Sequence, residues 1–169
     1  MGKAYLANLT RWGGLVVLVI ALGLPAFAAR AGELTVKGQN IASKSESSWI
    51  QIGEDKGHGI GTTESMGITH HGDGEVSTYV SKGTYDWNNT AGKSQGYLLT
   101  TFGDGSTATA QWQGQSKLDD KVTVSSGTWA YLGGTGKYEG VKGEGTYQGR
   151  RYGNGMSVID WKGTQVLPD

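Results

Sequence analysis

No cysteine occurs anywhere in the chain. That excludes disulfides, thiolate metal sites and a cysteine nucleophile, so packing and backbone hydrogen bonds must hold the fold together. Proline is nearly absent, with Pro25 and Pro168 the only two. Charge does not lean either way: 15 Lys and Arg face 15 Asp and Glu. Such a balance gives no electrostatic footprint for nucleic acid. A long apolar run is also missing. The longest, over 13–24, would rise about 18 Å as a helix, well short of a bilayer core of roughly 30 Å.

That short run sits in a segment unlike the rest. Lys3 and Arg11 precede it, Pro25 ends it, and two small-x-small sites follow, Ala26-Phe27-Ala28 and Ala29-Arg30-Ala31. This is the layout of a secretory signal peptide over 1–31, with cleavage expected after Ala31 or, second, after Ala28. The alternative is an uncleaved membrane anchor. Cleavage would leave a single domain over 32–169, without a membrane span, in the periplasm or outside the cell. This part carries all 15 acidic residues but only 12 of the Lys and Arg, so it is weakly acidic.

What the mature part has in abundance is glycine, 26 residues, set among Trp49, Trp87, Trp112, Trp129 and Trp161 and seven tyrosines. Disordered chains lack such aromatic surface. Glycine with aromatics and threonine but without proline suits twisted strands and tight turns. Alternation carries the strand signal. Ala108, Ala110 and Trp112 point one way, and Thr107, Thr109, Gln111 and Gln113 the other. Val76, Thr78 and Val80 oppose Tyr79, Tyr85 and Trp87. Val122, Val124, Ala130 and Leu132 oppose Thr123, Ser125, Trp129 and Tyr131. Large residues on both faces call for a filled interior and a covered exterior.

These patterns predict eight strands, over 47–52, 59–70, 74–87, 94–102, 106–118, 121–132, 143–152 and 155–166. Short turn signals separate them, among them His71-Gly72-Asp73-Gly74, Gly103-Asp104-Gly105, Asp119-Asp120 and Gly153-Asn154-Gly155. The expected fold is all-β: a closed, eight-stranded, antiparallel up-and-down barrel, with room inside for one small ligand. The segment 33–45 is ambiguous and reads as an arm crossing the barrel.

One stretch is more distinctive: Gly133-Gly134-Thr135-Gly136-Lys137-Tyr138-Glu139-Gly140-Val141-Lys142-Gly143-Glu144-Gly145. It resembles the GGTGxYxGxxGxG segment of the allene oxide cyclase and dirigent superfamily. Gly74-Glu75 at a strand start and the Thr101-Phe102-Gly103-Asp104-Gly105-Ser106 hairpin follow the same order, so the resemblance covers roughly 66–166. It implies a calycin-like barrel with a ligand cavity, often assembled as a homotrimer, and an isomerase-type cyclisation or a directed coupling of phenolic intermediates without a cofactor. The matched motif shapes the barrel and transfers no catalytic residue. A phosphate loop is the rival reading of these glycines. Against it, Gly136-Lys137 is followed by Tyr138 rather than Ser or Thr, and Thr146, Tyr147 and Tyr152 favour a strand over the helix that such loops open.

The candidate catalytic residues are the carboxylates Glu75, Asp86 and Glu144, with Asp160 a further one. A carboxyl desolvated by aromatic neighbours has a raised pKa and can serve as general acid or base. The bland alternative is exposure, or pairing with Lys162, Arg150 or Arg151. The candidate ligand-binding residues are Tyr79, Tyr97, Trp112, Trp129, Tyr147 and Trp161, whose rings offer apolar bodies with polar tips. The alternative is plain barrel core. His58, His70 and His71 with Asp73 could ligate a metal only if the chain turned sharply, because adjacent strand residues face opposite ways. No metal site and no cofactor is assigned. No Gly-x-Ser-x-Gly elbow supports a hydrolase. Two readings of function stay open: a barrel that binds a small hydrophobic or phenolic molecule and directs its cyclisation, or a non-enzymatic lipocalin-like carrier or envelope protein.

Overall fold

The computed structural model describes residues 32–168. The signal peptide read over 1–31 lies outside the described residues. Nine strands follow one another: β1 (Glu33–Ser47), β2 (Ile50–Gln51), β3 (His58–His71), β4 (Val76–Asn88), β5 (Ala91–Thr101), β6 (Thr107–Asp119), β7 (Val122–Thr135), β8 (Glu144–Arg151) and β9 (Ser157–Val166). A single 3-10 turn, Gly136–Tyr138, interrupts them between β7 and β8. Among the described residues no helix is long and apolar enough to cross a membrane.

Each strand from β3 onward pairs antiparallel with the next, and β1 pairs with both β9 and β3. The ladder from Glu33↔Val166 to Ala42↔Ser157 joins the first strand to the last. The ladder from Gly38↔His71 to Ser47↔Thr63 joins it to β3 and closes the cylinder. The expected eight-stranded up-and-down barrel is therefore the fold found, with β2 as one additional outer strand.

The membership of that barrel differs from the sequence reading in one respect. The segment 33–45 is not a crossing arm but most of the closing strand, and of 47–52 Ser47 ends β1 and only Ile50 and Gln51 form a strand of their own, β2. The reason is visible in β1. Its buried positions near the middle, Asn40 and Ala42, are small or polar and carry no hydrophobic alternation. A bulge between Ala42 and Lys44 then shifts the parity. Beyond Ser48 and Trp49, β2 continues along β3 through Ile50↔Ile60 and Gln51↔Gly59.

Three hairpins share one construction. In each, an Asp or Asn sits between two glycines: Gly72-Asp73-Gly74, Gly103-Asp104-Gly105 and Gly153-Asn154-Gly155. The side-chain oxygen of Asp73, Asp104 or Asn154 accepts the backbone N–H of the residue two further on, at 3.0, 2.9 and 3.1 Å. The second glycine takes φ between 85° and 93°, a left-handed conformation costly for other residues. The two tighter turns put Asn89 and Asp120 at φ 52° and 55°, the residue types that tolerate that region best.

Packing inside the barrel matches flat rings to missing side chains. Trp112 lies against the facing glycines Gly83 and Gly96, where an added Cβ would stand 2.6 and 2.7 Å from its Cζ2. Trp129 lies against Gly145 and Gly163, where an added Cβ would stand 2.8 Å from its Cε2 and 2.7 Å from its Cζ2. The register places Gly83, Gly96, Trp112, Trp129, Gly145 and Gly163 in one row across six strands. Glycine in mid-strand usually weakens a sheet. Here it makes room for the indoles to lie along the wall instead of meeting in the centre.

One end of the barrel is plugged. Phe102, Ala108, Tyr138 and Val141 form the buried cluster there, with Tyr131 packed against it. The Phe102 and Tyr138 rings stack at 4.2 Å. The glycine-rich stretch 133–143 brings Tyr138 into place. Gly136 at φ 61° fits against the Ser106 hydroxyl, and Ser106 Oγ accepts the Lys137 N–H at 3.2 Å. Lys137 Nζ then bonds Glu75 Oε1 at 2.7 Å, approaches Asp104 Oδ2 at 3.6 Å, and stands 4.8 Å from the Phe102 ring centroid.

Candidate functional site

The strand alternation turns one set of side chains into the barrel, and these line an interior cavity of about 210 Å³. Its lining on β5 alone runs from Ser94 to Thr100, seven residues or about 20 Å of strand. So modest a volume over so long a lining describes a narrow channel. It is wide enough for a slender guest, since a cavity of roughly 150 Å³ lined by apolar side chains can hold benzene.

Aromatic rings form the deep wall. Trp129 meets Tyr131 edge-on at 5.0 Å and Trp161 at 5.9 Å, and His71 meets Trp161 edge-on at 5.7 Å. Most polar atoms in this wall are satisfied. Trp112 Nε1 donates to Ser81 Oγ at 3.0 Å. Trp161 Nε1 and Thr69 Oγ1 both donate to Asn40 Oδ1, each at 3.0 Å. The Tyr131 hydroxyl donates to Gln165 Oε1 at 3.1 Å. The exception is Trp129 Nε1, which is buried and has no hydrogen-bond partner among the described residues. A buried donor left unmade costs about 1–3 kcal/mol.

Burial governs the titrating groups of the interior. It pushes the Tyr79 and Tyr131 phenols up to about 12, and raises Tyr147 as well. These groups stay protonated and can donate. Burial lowers the His71 pKa, against a smaller upward pull from Asp73 and Glu75, so the imidazole is neutral near pH 7. Its Nε2 shares a 2.8 Å hydrogen bond with Ser77 Oγ.

Of the six aromatics singled out in the sequence, Tyr79, Trp112, Trp129, Tyr147 and Trp161 line this channel. Tyr97 does not. It lies between inward-facing Gly96 and Leu98 and is exposed on the outer wall. The three leading carboxylates also lie outside the channel. Glu75 sits in the β3–β4 turn, paired with Lys137. Asp86 faces outward and meets His58 Nε2 at 3.0 Å. Glu144 is exposed on the outer face of β8. Asp160 is likewise exposed, accepting from Gln39 Nε2 at 2.7 Å. Among the described residues no Asp or Glu lines the channel.

The sequence named His71 only as a possible metal ligand and Arg151 only as a possible ion-pair partner, and singled out neither Phe102 nor Tyr131 for a site, yet all four line the channel. The parity that separates outward His70 from inward His71 was the available signal. No group of three or more metal-ligating side chains occurs among the described residues.

A larger concavity, about 1020 Å³, lies on the outer wall above the glycine row, lined by Lys82, Gln95, Tyr97, Gln111 and Gln113 among others. It is an open saddle in which a ligand would keep much of its surface in water, whereas ligand sites usually bury 70–90% of theirs. The interior channel is therefore the better candidate.

No protein-family model matches this chain, and no curated protein matches it.

Proposed function

We propose that this protein is an exported barrel that takes a slender hydrophobic or phenolic molecule into its lumen. The observation that carries the reading is the buried, unpartnered Trp129 Nε1 in a ring-lined channel. A guest with a phenol, carbonyl or ether oxygen would accept that hydrogen bond once the Trp129 indole turns toward it, the guest's ring packing on Trp161 and Tyr131.

Of the two roles open to such a barrel, the carrier is favoured over the acid–base cyclase. A cyclase of the kind first considered needs an acidic group beside the substrate, and the channel lining includes none. The resemblance of 133–145 to the allene oxide cyclase and dirigent superfamily supports kinship in scaffold. In this chain the segment closes one end of the barrel.

Titrating the purified protein with monocyclic phenols, followed by tryptophan fluorescence and native mass spectrometry, tests the reading. Saturable one-to-one binding is expected. Trp129→Phe should weaken it roughly tenfold, the worth of one buried hydrogen bond. Substituting Glu75, Asp86 or Glu144 should leave affinity unchanged for a carrier. Absence of saturable binding to any monocyclic aromatic would end the proposal. Sequencing the amino terminus of the protein recovered from its native host tests export, with Gly32 or Ala29 expected as the first residue.

A further inference from the structure

The channel has a second unfilled group, at the end away from Phe102 and Tyr138. Along β8, Gly145 and Tyr147 face inward, and so does Arg151 at the last position of the strand. Arg150 beside it is exposed. Arg151 is half-buried, yet among the described residues no carboxylate lies within ion-pair distance of it. Among the described residues it has no side-chain hydrogen-bond partner either, although many exposed polar groups of this protein have one. The groups that share its end of the channel are hydroxyls, Ser116, Ser125 and Ser157. Hydroxyls and a guanidinium together offer donors without a competing negative charge. The domain as a whole is weakly acidic, so this cation is a local feature and not part of a basic surface.

A half-buried, unpaired guanidinium is costly, and an anionic guest relieves the cost. The fork of N–H donors matches a carboxylate in a bidentate pair. We propose that the ligand is an aromatic monocarboxylate, its ring against Trp161 and Trp129 and its carboxylate held by Arg151. One positive charge fits a monoanion better than a phosphate dianion. The spacing sets the tail. Trp161 pairs with Tyr147, and Arg151 lies four residues further along β8, about 13 Å of strand. The arginine side chain spans part of that distance, so the ring and the carboxylate are joined by several methylenes rather than directly.

This inference rests on the lumen reading above, and one calorimetric series separates the two. The probes are benzoate, 4-phenylbutanoate and 4-phenylbutan-1-ol, with the wild type, Arg151→Gln and Arg151→Lys. In the wild type, 4-phenylbutanoate should bind roughly ten- to a hundredfold more tightly than the alcohol, the range of a charged hydrogen-bonded pair. Benzoate should bind more weakly than 4-phenylbutanoate. Arg151→Gln should erase the preference for the acid while leaving the alcohol within about threefold, and Arg151→Lys should keep only part of it. Arg151 has no internal partner to lose, so Arg151→Gln should not lower the thermal midpoint, which serves as the folding control. Equal binding of acid and alcohol by the wild type would overturn the carboxylate assignment and leave the lumen reading standing. Failure of all three probes to bind would overturn both.

Discussion

The two ends of this barrel are built from the same antiparallel hairpins and yet are opposites. At one, Phe102, Tyr138, Ala108 and Val141 pack into a dry plug that a folded-back loop holds in place. At the other, the channel ends among serine hydroxyls and Arg151. The difference lies in loop length. The turns β4–β5, β6–β7 and β8–β9 are short, and the longer 48–57 connection at their end runs along β3 as β2, while eight residues between β7 and β8 fold over the other end. A barrel with one stopper is a cup. The buried apolar cluster lies at its base.

Breaking this contrast should produce effects of graded size. The largest belongs to the wall between the ends. Gly96→Val would drive a side chain into Gly83 and the Trp112 ring, and should cost about 3 kcal/mol or more in urea denaturation. Gly103→Ala, in a turn with open space around it, should change stability by less than about 0.5 kcal/mol and so calibrates the comparison. Next comes the plug: Tyr138→Ala should cost about 3 kcal/mol and speed ligand release, measured by stopped-flow fluorescence.

Acidification should act through the plugged half. The His71 pKa is lowered in the folded barrel from the ordinary 6.5. The unfolded chain therefore takes up its proton first, and stability present above pH 6.5 declines as pH falls below that value. His71→Gln should flatten this part of the thermal midpoint against pH. Apart from the Gly103→Ala calibration, the smallest effect belongs to Lys137→Met. Its ion pairs with Glu75 and Asp104 are solvent-exposed, so the loss should stay below about 1 kcal/mol and shrink in high salt.

The sequence announced some of this architecture more loudly than the rest. Where large residues alternate with polar ones, as in Ala108, Ala110 and Trp112 against Thr109, Gln111 and Gln113, the strand and its two faces were legible, though not which face turned inward. Strand β1 was not, because Gly38, Asn40 and Ala42 serve the interior by being small or by hydrogen bonding, and a bulge breaks their rhythm. Tyr97 misled for a related reason: a ring on the outer wall looks no different in sequence from one inside. The candidate site was half legible. The indoles stood out by their size. The solitude of Trp129 Nε1 and Arg151 is a property of what surrounds them, and no spacing along the chain records it.

The pairing of Glu33 with Val166 has a consequence for how the molecule comes into being. Every other pair of neighbouring barrel strands is joined by at most ten residues of chain, but this seam must be found across almost the whole length of the domain. A polypeptide stopped before Ser157 would be a curled sheet with two raw edges, competent to stick to its own kind. Completion and protection against aggregation thus arrive together. Joining residue 32 to residue 167 and reopening the chain at Asp120 would move that seam to a hairpin, making the slowest contact of assembly one of the fastest.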